Sequence, residues 1–198
     1  EHNCSRISTD HKEPWLGTAS PAKVWIAVSH PKPWGASALA SIDIGETNRK
    51  HLTTIFSLCP DSRVQVITQD DSTERLLFFA VAFESDQRLY RIPLASYDDI
   101  QNLSWQSIID GDKGYDQYLA PQQIYLVCTN DQHDPCCGRV GQALFEEAKN
   151  SKQVWQSSHL GGDRFAANVV SLPQGNYYRR VTTDRLETII DAEKQGLV

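Results

Sequence analysis

The sequence of 198 residues contains no run of about 18 apolar side chains, the length that a membrane-spanning helix needs. Its first residues, Glu1-His2-Asn3-Cys4, lack the basic and then apolar pattern of a secretory signal. Lys and Arg number 19 against 25 Asp and Glu, which gives a formal net charge of -6. Nucleic-acid-binding surfaces concentrate positive charge instead. We therefore expect no membrane span and no nucleic-acid partner, and a protein that acts on small molecules or other proteins.

The chain has an odd number of cysteines, five, and Cys128, Cys136 and Cys137 lie within ten residues of one another. Secreted domains more often have an even, dispersed set that forms disulfides, whereas clustered thiols in a reducing compartment more often bind metal or do redox chemistry. We therefore predict a cytoplasmic protein with a metal or redox site in this segment. Cys4 and Cys59 lie far from it in the sequence and are predicted to be structural.

The apolar pattern of the first half predicts the order strand, helix, strand, strand, strand, helix. Residues 1–22 read as an irregular polar arm, with Trp15 and Leu16 as candidate anchors. Pro93 indicates that the last strand lies at a sheet edge. The predicted strands cover residues 23–28, 63–69, 76–83 and 88–94, and the predicted helices cover 47–58 and 97–110.

The second half repeats this order after a connector at residues 111–121. Asp184 is the predicted N-cap and Gly196 the predicted C-cap of the last helix. A thioredoxin-like sheet with flanking helices requires this order, so we predict an α/β fold of two thioredoxin-like units side by side, residues 1–118 and 119–198. One α/β or α+β domain with a single long sheet is the alternative. The predicted strands are 124–127, 154–158, 168–172 and 176–181, and the helices are 138–149 and 184–195.

Two loops carry residues that could bind a metal. The segment from Cys128 to Cys137 follows a predicted strand and precedes a predicted helix, whose N-terminus stabilises thiolates. The second loop begins at His159, and its Gly161 and Gly162 let backbone approach a bulky ligand. Thiolates together with an imidazole suit an iron–sulfur cluster or zinc. The two loops therefore predict one metal centre at one end of a sheet.

Short motifs occur in both halves of the chain: Cys4-Ser5, Gly17-Thr18-Ala19, Pro33-Trp34-Gly35 with Ala38-Leu39, Val127-Cys128, Asp134, Cys137-Gly138 and His159-Leu160-Gly161-Gly162. Together these motifs resemble those of the sucrase/ferredoxin-like family, whose fungal members include thioredoxin-like [2Fe-2S] proteins. The resemblance implies a [2Fe-2S] cluster bound by Cys128, Cys137 and His159, the two cysteines having eight residues between them. It also implies an electron-transfer or redox-sensing protein, rather than an enzyme, with a reductase or other redox protein as its partner.

The fourth ligand is where the sequence departs from the fungal pattern, which has a second histidine at the position of Asp163. Cys136, Asp163 and a residue outside these two loops are the alternatives. Cys136 offers a soft thiolate, whereas Asp163 is a harder ligand at the family's ligand position, and we slightly favour Cys136. Arg164 is either a solvated charge or one that offsets the negative cluster. His133 is expected at the surface or as a hydrogen-bond donor to a ligand. The remaining predicted neighbours of the cluster are Gly138, Gly161 and Gly162.

Two other functions fit the same residues. A thiol–disulfide or peroxide-reducing enzyme would use Cys128 with Cys136 or Cys137, although the sequence lacks a Cys-x-x-Cys pair and a disulfide between adjacent cysteines is strained. A zinc-stabilised interaction module would hold the ion with four of the candidate ligands, which include His159 and Asp163.

Overall fold

The computed structural model describes residues 4–69 and 73–197 of the chain. Strands and helices along these ranges form a mixed α/β fold. The strands of the described ranges are β1 (Val24–Ser29), β2 (Ser62–Thr68), β3 (Leu76–Phe83), β4 (Asp86–Pro93), β5 (Ile124–Cys128), β6 (Val154–Ser157), β7 (Val169–Leu172) and β8 (Asn176–Tyr178).

Helices flank the sheet. None of those in the described ranges is both long and apolar enough to cross a membrane. The α-helices are α1 (Cys4–Asp10), α2 (Ala38–Ser41), α3 (Glu46–Thr53), α4 (Ile55–Leu58), α5 (Trp105–Asp110), α6 (Gln142–Ala148) and α7 (Thr183–Lys194). Three 3-10 helices cover Tyr97–Asn102, Lys113–Tyr118 and Asp163–Phe165, and a π-helical turn, Cys137–Gly141, leads directly into α6.

The eight strands of the described ranges form one sheet in the order β4-β3-β1-β2-β6-β5-β7-β8. β1 is parallel to β2 and antiparallel to β3, and β3 is antiparallel to β4. In the second half, β5 is parallel to β6 and antiparallel to β7, and β7 is antiparallel to β8. The two sets of four strands meet where β2 and β6 run antiparallel, with Ile67 opposite Ser157. The predicted mixed α/β fold is therefore confirmed, and one sheet runs through both halves.

The strand that begins each half is wholly buried, because it has a neighbour on both sides and packing on both faces. All residues of β1 and of β5 are buried, as continuous apolar runs predict. The sheet is curled, so that one face of the first half packs on one face of the second. Trp25 and Phe78 of the first half share this central core with Leu126 and Leu172 of the second, and Cys128 belongs to it too. The two outer faces form separate cores with the helices.

The N-terminal arm differs from the prediction, because residues Cys4–Asp10 form α1. Leu16 is 79% exposed and is not an anchor, whereas Trp15 is partly buried. A helix of seven residues is not stable alone, and tertiary contacts stabilise this one. The Arg180 guanidinium donates to the carbonyl oxygen and the hydroxyl of Ser8 at 3.0 and 2.8 Å. α1 thereby packs on the Asp163–Phe165 helix of the second half.

The helix predicted over residues 47–58 is divided into α3 and α4, with the break at Thr54. The Thr54 hydroxyl donates to the carbonyl oxygen of His51 at 2.6 Å. Such a bond competes with regular helical pairing, and the apolar periodicity continues across it. Ile55 is buried, but Phe56 is 43% exposed.

The helix predicted over residues 97–110 is likewise divided, into a 3-10 helix and α5. Ser104 starts the second part, because its hydroxyl accepts from the backbone N–H three residues later. The last helix begins one residue earlier than predicted, and its N-cap is Thr182 rather than Asp184. Gly196 follows this helix with φ +66°, as the predicted helix end requires. β4 lies at a sheet edge, as Pro93 predicted.

Candidate metal centre

The two predicted ligand loops meet at one end of the sheet, where β5 and β6 end. β5 and β6 are parallel, and Cys128 at the end of β5 lies opposite Ser157 at the end of β6. The ligand atoms of Cys128, Cys137 and His159 all lie within 4.8 Å of one another. Both cysteines are 0% exposed, whereas the side chain of His159 is 23% exposed. The structure thus brings together three of the predicted ligands at the carboxyl ends of parallel strands, a common position for ligand sites.

Asp163 lies against this group. Its Oδ1 is 3.0 Å from Nδ1 of His159 and 3.5 Å from Sγ of Cys137. Asp163 is the first residue of a 3-10 helix, and Gly162 before it has the left-handed φ of +77°. The turn at this glycine directs the carboxylate back toward the histidine four residues earlier.

Cys136 has a different neighbour from Cys137. Its Sγ lies 2.9 Å from Sγ of Cys4, and Cys4, Asp134 and Cys136 form a second group of candidate ligands. Oδ1 of Asp134 accepts from the backbone N–H groups of Cys136 and Cys137 at 2.7 and 3.2 Å, which caps the helix start. Cys4 was predicted to be structural, and its only signal in the sequence was the family motif Cys4-Ser5.

Two glycines allow the helix that carries Cys137 to approach the end of β5. A Cβ atom at Gly141 would collide with the carbonyl oxygen of Cys128. A Cβ atom at Gly138 would collide with the side chain of Asp131. Gly138 therefore permits close packing of the loop. Gly141, which the sequence did not single out, permits the close approach of the two cysteine-bearing segments.

The loop that carries His159 is supported from behind by Arg179, which is 4% exposed. Its Nη1 donates to the carbonyl oxygen of Gly161 and to Oδ1 of Asn168, both at 2.9 Å. Asn168 in turn donates to the carbonyl oxygen of Gly162 at 2.9 Å. A Cβ atom at Gly162 would collide with the Arg179 guanidinium. Gly161 and Gly162 are thus important for the backbone conformation of this loop. Arg179 is a residue that sequence reasoning missed.

Arg164 connects the same loop to the N-terminal segment. Its Nε lies 2.7 Å from Oε1 of Glu13, and its guanidinium lies 4.9 Å from the ring centroid of Phe165. Arg180 also donates to the carbonyl oxygen of Glu13, at 3.1 Å. The backbone N–H of Arg180 donates to the carbonyl oxygen of Phe165 at 2.9 Å, so both arginines attach the N-terminal segment to the loop of Asp163.

The candidate ligands shift one another's pKa. The hydrogen bond with Cys137, helped by bonds from His159 and the N–H of Leu160, lowers the pKa of Cys128 to about 5 against the effect of burial. The same bond, together with burial, raises the pKa of Cys137. Burial acts to lower the pKa of His159, but the hydrogen bond with Cys128 and the charge of Asp163 raise it. A metal ion that binds here would displace these protons.

His133 lies on the solvent side of the site. Its ring stacks on that of His159 with centroids 3.7 Å apart, and its Nδ1 is 3.1 Å from the carbonyl oxygen of Ala36. It is exposed, as predicted, and it stacks on a candidate ligand. An open pocket of about 440 Å³ adjoins both rings, and its other lining residues include Ser37, Leu39, Gln65 and Ser158.

The ligand atoms of the site indicate which metal it could hold. Two sulfurs and an imidazole lie in one group, and the Asp163 carboxylate contacts the imidazole and one of the sulfurs. This set of ligand atoms suits an iron–sulfur cluster or zinc and does not suit calcium or magnesium.

Comparison with known proteins gives the family of the chain. The family model described as sucrase/ferredoxin-like matches residues 15–198. The chain belongs to the sucrase/ferredoxin-like family. It is similar to "Altered inheritance of mitochondria protein 32" of Debaryomyces hansenii, with 29% identity over 82 residues, which cover 35% of this chain and 30% of that protein. The match therefore spans less than a third of the relative's length. No solved structure gives a significant match.

Proposed function

We propose that this chain binds a [2Fe-2S] cluster and acts in electron transfer or redox sensing. The observation that carries the proposal is the grouping of Cys128, Cys137 and His159, with ligand atoms within 4.8 Å of one another, in a chain of this family. Thiolate and imidazole are both known ligands of [2Fe-2S] clusters. When bound, such a cluster supplies one-electron redox chemistry.

Asp163 is the proposed fourth ligand. Its carboxylate contacts both His159 and Cys137, whereas the sulfur of Cys136 contacts Cys4. This proposal reverses the earlier preference for Cys136, which the softness of its thiolate suggested. The reason is the backbone at the helix start, where two adjacent cysteine side chains leave in different directions.

The surrounding residues would hold the ligands and exclude water. Cys128 and Cys137 lie in the apolar central core, beside Leu160. The N–H of Leu160 hydrogen bonds to the Cys128 sulfur, and such bonds tune the potential of a sulfur-ligated centre. Arg179 fixes the backbone of the loop that carries His159. His159 is the partly exposed ligand of the three, so we propose that a redox partner docks beside it, at the pocket next to His133.

We further propose that each set of four strands is a thioredoxin-like unit and that the boundary lies near residue 118, so that the first unit lacks cluster ligands. The support is the identical pairing of β1 to β4 and of β5 to β8. A cytoplasmic location stays a prediction.

A catalytic dithiol at Cys128 and Cys137 has less support. The lowered pKa of Cys128 is what a nucleophile needs, but both sulfurs are 0% exposed, so a protein or peroxide substrate does not reach them. Zinc remains the other metal that the donor set suits, and the experiment that tests the proposal separates the two.

The test is metal and sulfide analysis of the chain purified without oxygen. We expect about two iron and two sulfide per chain, with visible absorption that bleaches on reduction by dithionite. Cys128→Ser and Cys137→Ser should lose most of the iron, while Cys59→Ser, a change in the first half, should keep it. One zinc per chain without iron would reject the cluster and favour the zinc module.

A further inference from the structure

We propose that Cys4 and Cys136 form a second redox site, a dithiol that a small disulfide such as oxidised glutathione converts into an intramolecular disulfide. The inference does not depend on which metal or cluster the neighbouring site binds. The two sulfurs lie 2.9 Å apart although 132 positions separate the residues in the sequence. A disulfide bond is about 2.05 Å long, so closure requires a movement of roughly 0.9 Å.

The surroundings give the two sulfurs different access. Cys136 is 1% exposed and lies at the capped start of its helix, while Cys4 is partly exposed at the start of α1. An external disulfide therefore meets Cys4 first. Burial and the hydrogen bond with Cys136 raise the pKa of Cys4 to about 12, so the first step is slow at neutral pH.

The chemistry is thiol–disulfide exchange in two steps. The Cys4 thiolate attacks one sulfur of the small disulfide, a mixed disulfide forms on Cys4, and the first small thiol leaves with the proton that Cys4 gave up. The Cys136 thiolate then attacks Sγ of Cys4, the protein disulfide forms, and the second small thiol leaves with the proton of Cys136. Two electrons and two protons pass from the two cysteines to the small disulfide, which becomes two thiols.

The bond would join the two ligand loops through α1. In the reduced chain, α1 and the residues after it are attached to the loop of Asp163 by Arg164 and Arg180. A bond from Cys4 to Cys136 adds a covalent attachment to the loop of Cys137. Oxidation of the dithiol would therefore link the two ligand loops covalently through α1, beside the metal centre.

The test is equilibration of the purified full chain, without oxygen, in buffers with increasing ratios of oxidised to reduced glutathione. Thiols are then blocked, and tryptic peptides are identified by mass spectrometry. We expect the loss of two alkylatable thiols and a link between peptide 1–6 and peptide 114–139, with fragmentation assigning the bond to Cys136. Excess reduced glutathione should restore both thiols.

Matched variants make the assignment. Cys4→Ser and Cys136→Ser should each abolish the link, and Cys59→Ser should leave it unchanged. Peptide 1–6 that stays reduced or carries only glutathione at every ratio would overturn the proposal, as would a link from Cys4 to Cys128 or Cys137. Because the peptide link is read whether or not iron is present, its absence and the absence of a cluster are separate results.

Discussion

Replacement of Gly141 by alanine gives opposite expectations from local sequence and from tertiary structure. Gly141 has helical dihedral angles, φ -69° and ψ -40°, so helix propensity alone predicts that alanine stabilises the chain by about 1 kcal/mol. The structure predicts the reverse, because the new Cβ would collide with the carbonyl oxygen of Cys128, a backbone atom fixed in β5.

The expected size follows from these two effects. Overpacking costs about 1–3 kcal/mol, and a collision with paired backbone belongs at the upper end of that range. After the propensity gain is subtracted, Gly141→Ala should lower the free energy of unfolding by about 2 kcal/mol. For a chain of this size that corresponds to a fall in Tm of about 4–8 °C.

Thermal and urea unfolding followed by circular dichroism measure this change. Gly114→Ala is the matched control, because its Cβ would meet only the side chain of Asp112, at 3.3 Å, in an exposed segment. The control should change the free energy of unfolding by less than about 0.5 kcal/mol. An unchanged or higher Tm for Gly141→Ala would refute the claim that this glycine sets the distance between the two cysteine-bearing segments.

Three further predictions concern the site. Asp163→Ala should lower the iron content of the anaerobically purified chain and Cys136→Ser should not; the opposite pattern would make Cys136 the ligand. Arg179→Met should lower the free energy of unfolding in urea by about 2–4 kcal/mol, because a buried and a partly buried acceptor lose their donor. Arg164→Ala removes a more exposed ion pair and should cost under about 1 kcal/mol, so equal effects of the two changes would contradict this. Oxidation of Cys4 and Cys136 should raise the free energy of unfolding in urea by up to about 5 kcal/mol, since the bond spans 132 positions, and no increase would show that the link strains the fold.

The buried strands were predictable because their signal is local. Residues 76–83 are almost wholly apolar, and β3 covers the same residues. The two helix divisions depend on single hydroxyls, those of Thr54 and Ser104, which bond to nearby backbone without changing the apolar period. α1 was missed because its stability comes from Arg180, far along the chain.

The site was predictable where its signal is local in the sequence. Loop position, cysteine spacing and the family resemblance identified Cys128, Cys137 and His159, which the structure brings together. The direction in which adjacent cysteine side chains point depends on the backbone at the helix start. The sequence therefore could not predict whether Cys136 or Asp163 lies beside these three residues. The contact of Cys136 with Cys4 joins distant parts of the chain.

Electron paramagnetic resonance of the dithionite-reduced chain, labelled with ¹⁵N in histidine only, tests the central claim most directly. We expect the signal of a reduced [2Fe-2S] cluster with strong hyperfine coupling to one histidine nitrogen, that of His159. This coupling should disappear in His159→Cys while the cluster remains. A reduced chain without a cluster signal, or with a signal that has no nitrogen coupling, would contradict it.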